Sequence, residues 1–267
     1  MRIVRLGEAA RIALVRSRGI ARPLPAFPDA PYLEAAGEII WVGMQLPALH
    51  PRAVLTAQAC PRGTEIRFDS IPDRGWSPQL RVLDPASGKA CVAAANKLRA
   101  KLAQDHSVRG FGTLFAGRAP AFPLDIAVPR VKALCEAYAR NDAHAATQAS
   151  IALFGLGSGL TPSGDDLAGA ALFGRRLLMP DDPGWSAAAE TLMREIATRS
   201  HAISAALFGD LARGQSFAPL HAIADALAAN DDTAALAAAL TLAAIGHSSG
   251  WDMLTGLIIG ISGIMDR

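Results

Sequence analysis

From about residue 128 onward, apolar residues recur at helical spacing. Val131, Leu134, Cys135 and Tyr138 fall at i, i+3, i+4 and i+7, one face of a helix that Pro129 opens. After the short apolar run Ile151-Ala152-Leu153-Phe154, helical patterns follow at 166–178, 186–211, 219–229, 232–245 and 252–264. Alanine is dense in all of them, which favours helix and lets neighbouring helices approach closely. Upstream the runs are shorter and β-prone, at 38–42, 52–56 and 64–68, separated by Pro47, Pro51 and Pro61-Arg62-Gly63. They follow a stretch broken by Pro23, Pro25, Pro28 and Pro31. One helix is predicted here, over 89–104, and Gly110, Gly112 and Gly117 mark an irregular stretch beyond it. The pattern predicts an α+β protein, with an N-terminal β-containing part packed on a C-terminal Ala-rich helical bundle. The expected division is 1–127, a mixed β region, and 128–267, a helical region holding a Gly-rich loop. No repeat with a period of 20–50 residues appears.

Composition narrows the classes. Of the 267 residues, 51% are hydrophobic and 19% charged, so much of the chain must be buried in a core or an interface. A net charge of +2 and sparse aromatics argue against a nucleic-acid surface. The three cysteines, Cys60, Cys91 and Cys135, are widely spaced and odd in number, which fits reduced thiols in a cytoplasmic protein rather than a disulfide framework. The N-terminal stretch has no apolar core of signal-peptide length, and Arg2, Arg5, Arg11, Arg16 and Arg18 read as a solvated face. Residues 233–251 lack Asp, Glu, Lys and Arg, but their many alanines fit a packed helix better than a membrane span. No membrane association is expected.

The chemistry concentrates in Gly155-Leu156-Gly157-Ser158-Gly159-Leu160-Thr161-Pro162-Ser163-Gly164-Asp165-Asp166. Its glycines permit close backbone approach, and its place ahead of a helix aims amides at a ligand. The dinucleotide pattern G-x-G-x-x-G fails, because Leu160 or Pro162 stands where the third glycine belongs. The spacing from Gly159 to Gly164 is that of a P-loop, yet Asp165-Asp166 follows where Lys and Ser or Thr belong. What remains is a set of backbone donors with the hydroxyls of Ser158, Thr161 and Ser163 and two carboxylates. Such acids suit an amide or ureido NH₂, or a Mg²⁺ ion held by Asp165 and Asp166. The structural alternative is a capping box with Ser163 as N-cap and Asp166 three residues on.

A second segment, Gly246-His247-Ser248-Ser249-Gly250-Trp251-Asp252, repeats the pattern: Ser249-Gly250-x-Asp252 matches Ser163-Gly164-x-Asp166. If the two helix heads meet, they enclose a polar pocket in which His247 could act as general acid or base; otherwise His247 serves its own turn. Trp251 reads as core. In the third segment, Thr198-Arg199-Ser200-His201-Ala202-Ile203-Ser204, Arg199 is either a bidentate anion clamp or an arginine on a solvated helix face. The histidines lack zinc-site spacing, and no activated nucleophile stands out.

At residues 153–166 the chain resembles the AllH-subunit family of oxamate carbamoyltransferase, through Gly-Leu-Thr-Pro-Ser-Gly-Asp-Asp ending at Asp166; the later Ser-Gly-x-Asp element fits the same family. The resemblance implies phosphorolysis of oxalurate to oxamate and carbamoyl phosphate in allantoin degradation, a branch of purine catabolism, with other carbamoyltransferase subunits as partners. On the reading of the three segments, Gly157, Ser158, Gly159, Thr161, Ser163, Gly164, Ser248, Ser249, Gly250, Asp252 and Arg199 are the candidates to hold a small anionic metabolite, whether oxalurate, oxamate, carbamoyl phosphate or phosphate. Asp165, Asp166 and His247 then carry the chemistry: an acid accepts from the NH₂ or holds Mg²⁺, and His247 or an acid protonates the departing nitrogen. Two alternatives stand beside this: a non-catalytic metabolite-binding partner subunit, and a stand-alone Mg²⁺-dependent phosphate-ester enzyme.

Overall fold

The computed structural model describes residues 1–264 and divides into two compact units, Met1–Gln79 with Gln215–Ala218, and Leu80–Gly214 with the chain from Pro219 onward. The fold class is α+β, with a six-stranded sheet in the first unit and helices filling the second.

The first unit comprises β1 (Ile3–Leu6), α1 (Glu8–Arg16), β2 (Ile20–Pro23), β3 (Tyr32–Ala35), β4 (Glu38–Gly43), β5 (Ala53–Thr56) and β6 (Ile66–Arg67). The strands lie in the order β1-β5-β4-β3-β2-β6, antiparallel throughout except for the parallel pair β4–β5. The β-prone runs at 38–42, 52–56 and 64–68 become β4, β5 and β6. Helix α1 buries Ala10, Ala13 and Leu14 in a cluster with Leu33, Ile40 and Val54. Arg2, Arg5, Arg16 and Arg18 are exposed, and Arg11 donates to Glu8 at 2.7 Å. The N-terminal arginines thus form a solvated face.

The second unit holds α2 (Pro85–Leu102), a 3₁₀ segment (Gly110–Ala116), α3 (Val128–Ala139), α4 (Ala143–Ile151), α5 (Ser163–Leu178), α6 (Pro183–Arg199), α7 (Ala202–Ala212), α8 (Ala218–Ala228), α9 (Asp232–Ala243) and α10 (Ser249–Ser262). The pattern over 186–211 is two helices, not one: the chain turns extended at Ser200 between α6 and α7. No helix is long and apolar enough to cross a membrane among the described residues.

This unit is an internal duplication. The segment α3–α4–α5 recurs as α8–α9–α10 with matching detail. Val131, Leu134, Cys135 and Tyr138 of α3 correspond to Leu220, Ile223, Ala224 and Leu227 of α8, and all eight are buried. Each pair of helices is joined by an Asn-Asp bend, Asn141-Asp142 and Asn230-Asp231. Both asparagines are left-handed at φ 54°, and both aspartates cap the next helix through their side chains. The bends at the α4 and α9 C-termini match as well: Leu156 N donates to Leu153 O and Ile245 N to Leu242 O, then Gly164 N donates to Leu156 O and Gly250 N to Ile245 O. Helices α2 and α6, each opened by an Asp-Pro N-cap (Asp84-Pro85, Asp182-Pro183), complete the two halves. Helix α2 packs on α9 and α10 of the second repeat, while α6 packs on α4 and α5 of the first, the exchange expected of a pseudo-two-fold.

At the centre of this arrangement α5 and α10 pack together and their backbones touch. A Cβ added at Gly260 would lie 2.0 Å from Ala171 O, and one at Gly174 would lie 2.7 Å from Leu257 O. These two contacts exchange when the repeats are interchanged. Gly256 adds a third, 2.1 Å from Leu167 O. Repeat period and intertwining explain why a search for short repeats passes over the relationship.

Candidate functional site

Both predicted loops sit at the heads of this central helix pair. In the first, Gly157 is held at φ 114°, and a Cβ there would meet Ser163 N at 2.7 Å, so the position accepts glycine alone. Gly164 and Gly250, each the second residue of its helix, press against the preceding helix's end: an added Cβ would stand 1.9 Å from Leu153 O and 1.9 Å from Leu242 O respectively. Ser163 and Ser249 are thereby fixed as the opening residues of α5 and α10. Ser163 does not act as an N-cap. Pro162 occupies that place and no side chain caps the helix, which leaves the Ser163 hydroxyl for other work.

A cleft of about 160 Å³ opens where the loops meet, lined by Gly157, Ser158 and Ser163 from one and His247 and Ser248 from the other, with Gly110 and Phe122 beside them. Behind it lie two carboxylates. Asp252 is fully buried; it accepts from Phe111 N at 2.7 Å and from the hydroxyls of Ser163 and Ser248, two residues that line the cleft. Asp166 is buried and bonded to Ser249 and Thr161, whose hydroxyl oxygens are 2.8 Å apart. Ser163 Oγ and Ser248 Oγ stand 3.4 Å apart. The Ser163 and Ser248 hydroxyls therefore stand between Asp252 and the opening. One oxygen of each acid, Oδ2 of Asp166 and of Asp252, is buried with no hydrogen-bond partner among the described residues.

Burial dominates the acidity of this pair. It pushes the Asp252 carboxyl up to about 7 against the hydrogen bonds from Phe111, Ser163 and Ser248. Burial also holds Asp166 well above the ordinary carboxylate range, and the nearby Asp252 charge adds to the rise. Two acids this close in a desolvated site cannot both ionise without a counter-charge. At neutral pH the pair retains a proton.

Asp165 points elsewhere. Its Oδ1 accepts from Gly155 N at 2.8 Å, and its Oδ2 from Ser200 Oγ at 2.5 Å and Ser204 Oγ at 2.6 Å. These bonds tie the head of α5 to the α6–α7 bend. In the other repeat the same position is Trp251, buried and packed on Gly112 of the 3₁₀ segment. An acid with three donors in one repeat and an indole in the other anchor their helix heads in equivalent places. The side chains of Asp165 and Asp166 thus diverge, and among the described residues no group of three or more His, Cys, Asp or Glu is arranged to hold a metal ion. The residues do not fit a Mg²⁺ shared by this pair. Asp165→Ala should cost about 2–4 kcal/mol, because Ser200, Ser204 and Gly155 lose their acceptor. Urea unfolding checks this, with the cost expected in stability rather than in any titration of the cleft.

The remaining candidates distribute as follows. Gly159 is exposed, and its carbonyl is 3.3 Å from His201 Nε2. The Arg199 guanidinium donates to Glu195 at 2.8 Å on its own exposed helix face and does not line the cleft. His247 is exposed at the cleft rim. Sequence reasoning passed over Phe111, whose amide reaches Asp252, and Phe122-Pro123, which wall the cleft; the glycines at 110 and 112 marked an irregular stretch but not its destination. Ser200 and Ser204 lie in the third segment beside Arg199, and nothing local distinguishes their hydroxyls from those of a solvated bend.

Residues 153–261 match the model of the family described as oxamate carbamoyltransferase subunit AllH. The matched span begins at the bend that carries the first loop and includes the second loop and nearly all of α10. Comparison with curated proteins returns no match, and comparison with solved structures returns none.

Proposed function

We propose that this chain is the subunit of a carbamoyltransferase that binds the oxalurate–oxamate pair in the cleft between its two serine-glycine loops, and that the buried acids behind the hydroxyls manage the proton of the reaction. The family matched over residues 153–261 is a carbamoyltransferase subunit of oxamate metabolism, which supplies the reaction class. The observation that carries the reading is the convergence of Ser163 and Ser248 on both the cleft and Asp252.

In phosphorolysis a phosphate oxygen attacks the carbamoyl carbon of oxalurate, the bond from that carbon to the internal nitrogen breaks, and oxamate leaves once its nitrogen gains a proton. The developing oxyanion needs positioned donors. In this proposal the amides of the first loop with the Ser158 hydroxyl supply them, and Thr161, Ser249, Gly159, Gly164 and Gly250 hold the loops in shape. Asp252, protonated near neutrality, releases its proton through Ser163 or Ser248 to the departing nitrogen, while Asp166 limits the spread of negative charge by sharing what remains. His247 at the rim orients the substrate carboxylate. Asp165 keeps the helix head in place.

The test is an assay of carbamoyl phosphate formed from oxalurate by the chain assembled with its partner subunits. The double variant Ser163→Ala, Ser248→Ala is expected to lower turnover by about a hundredfold, in the range of lost acid–base assistance, with the assembly intact. Equal turnover by wild type and variant would leave this chain as a metabolite-binding partner without a catalytic part. Magnesium-dependent phosphatase activity of the chain alone would replace the proposal with a phosphate-ester enzyme.

A further inference from the structure

A second cavity, of about 250 Å³, adjoins the cleft through His247, which lines both. Arg109 and Ser107 form one wall, Gly246 and His247 another, and Trp251 and Ala244 complete the lining that matters here. No acid lines it. Arg109 is exposed, sits in extended backbone at the entry to the 3₁₀ segment, and makes no ion pair among the described residues.

The duplication sharpens the point. The counterparts of Ala244, Gly246 and Trp251 in the first repeat are Gly155, Gly157 and Asp165. There the equivalent space is closed: Gly155 lies against the Arg199 carbonyl, and Asp165 draws Gly155, Ser200 and Ser204 together. One half of a symmetric scaffold is sealed by hydrogen bonds, while the other keeps a cavity walled by the Arg109 guanidinium and His247.

We infer that this cavity, built on Arg109 and His247, is a second oxyanion subsite and seats inorganic phosphate beside the cleft. The inference rests on the function proposed above, which calls for a phosphate nucleophile next to the carbamoyl group. The guanidinium matches a tetrahedral oxyanion bidentately, while the Ser107 hydroxyl is held by Asp105. A shared wall at His247 places the two reactants side by side, the arrangement that turns a bimolecular attack into a local one.

Calorimetric titration of the full chain with inorganic phosphate, and separately with oxamate, tests this at low ionic strength. Saturable phosphate binding is expected, weakened about tenfold or more by Arg109→Gln, the scale of a lost charged hydrogen bond. Oxamate affinity is expected to survive Arg109→Gln and to fall with Ser163→Ala. Phosphate binding unchanged by Arg109→Gln, or no saturable phosphate binding by the wild type, overturns the subsite. So does one-for-one competition between oxamate and phosphate, which would make this the carboxylate's seat. Oxamate binding indifferent to Ser163→Ala would instead sink the reading of the cleft and leave the Arg109 result standing.

Discussion

Exchanging Asp252 for asparagine is expected to lower carbamoyl phosphate formation by about a hundredfold or more and, at the same time, to make the protein more stable above neutral pH. The rate effect is the loss of a general acid, whose contribution is typically 10²–10⁴-fold. The stability effect follows from burial. The Asp252 carboxyl is held at about 7 in the fold against an ordinary value of 3.8. Between those two values the folded protein keeps a proton that the unfolded chain has released, so stability falls as pH rises through this window. Above pH 7 the full penalty is present, about 4 kcal/mol for this one group. Asp166, raised in the same direction, adds to the trend. The amide of Asp252→Asn can still accept from Phe111 N and carries no charge, so its stability curve between pH 4 and pH 8 should be flatter than wild type. Thermal unfolding across that range, read beside turnover, checks both halves. An active variant with an unaltered pH profile would remove Asp252 from the mechanism.

Gly260→Ala is expected to be the most disruptive single methyl at the α5–α10 contact. The added Cβ would stand 2.0 Å from Ala171 O, 2.8 Å from Ala171 C and 2.9 Å from Ala171 Cα. Backbone on the facing helix cannot swing aside as a side chain can, so α5 and α10 must separate. The cost should reach about 3 kcal/mol, the upper part of the overpacking range, and lower the melting temperature by roughly 6–12 °C for a chain of this size. Because the helix heads carry Ser163, Asp166 and Asp252, ligand binding in the cleft should fall with it. Gly88→Ala in α2 is the control, meeting only Leu178 Cδ2 at 3.5 Å; it should be neutral or gain up to about 1 kcal/mol from helix propensity. Similar melting temperatures for the two variants would show that the helix contact tolerates more than its geometry allows.

The contrast between Asp165 and Asp166 shows what a local reading can and cannot reach. Both were singled out as neighbouring carboxylates beside a glycine-rich bend, and both lie buried at that bend. A helix turns about 100° per residue, so the two face different neighbours: Asp165 meets Ser200 and Ser204, and Asp166 meets Thr161 and Ser249. No local pattern states which neighbour a helix will have. Arg199 illustrates the same limit from the other side, since a cation near a candidate loop in sequence is spent on Glu195 one turn away.

The amino-acid order by itself determined the α+β character, because helical periodicity, alanine content and proline-broken β runs are local signals. It also determined the two Ser-Gly-x-Asp helix heads and the bends that only glycine can make, because those depend on backbone sterics within a few residues. The tertiary structure alone decided that the heads belong to intertwined repeats, that α5 and α10 touch backbone to backbone, and that Phe111 reaches Asp252 across 141 residues of chain. It decided the acidity of Asp166 and Asp252 as well, since a carboxyl's affinity for its proton depends on the water and charge that packing removes or brings near.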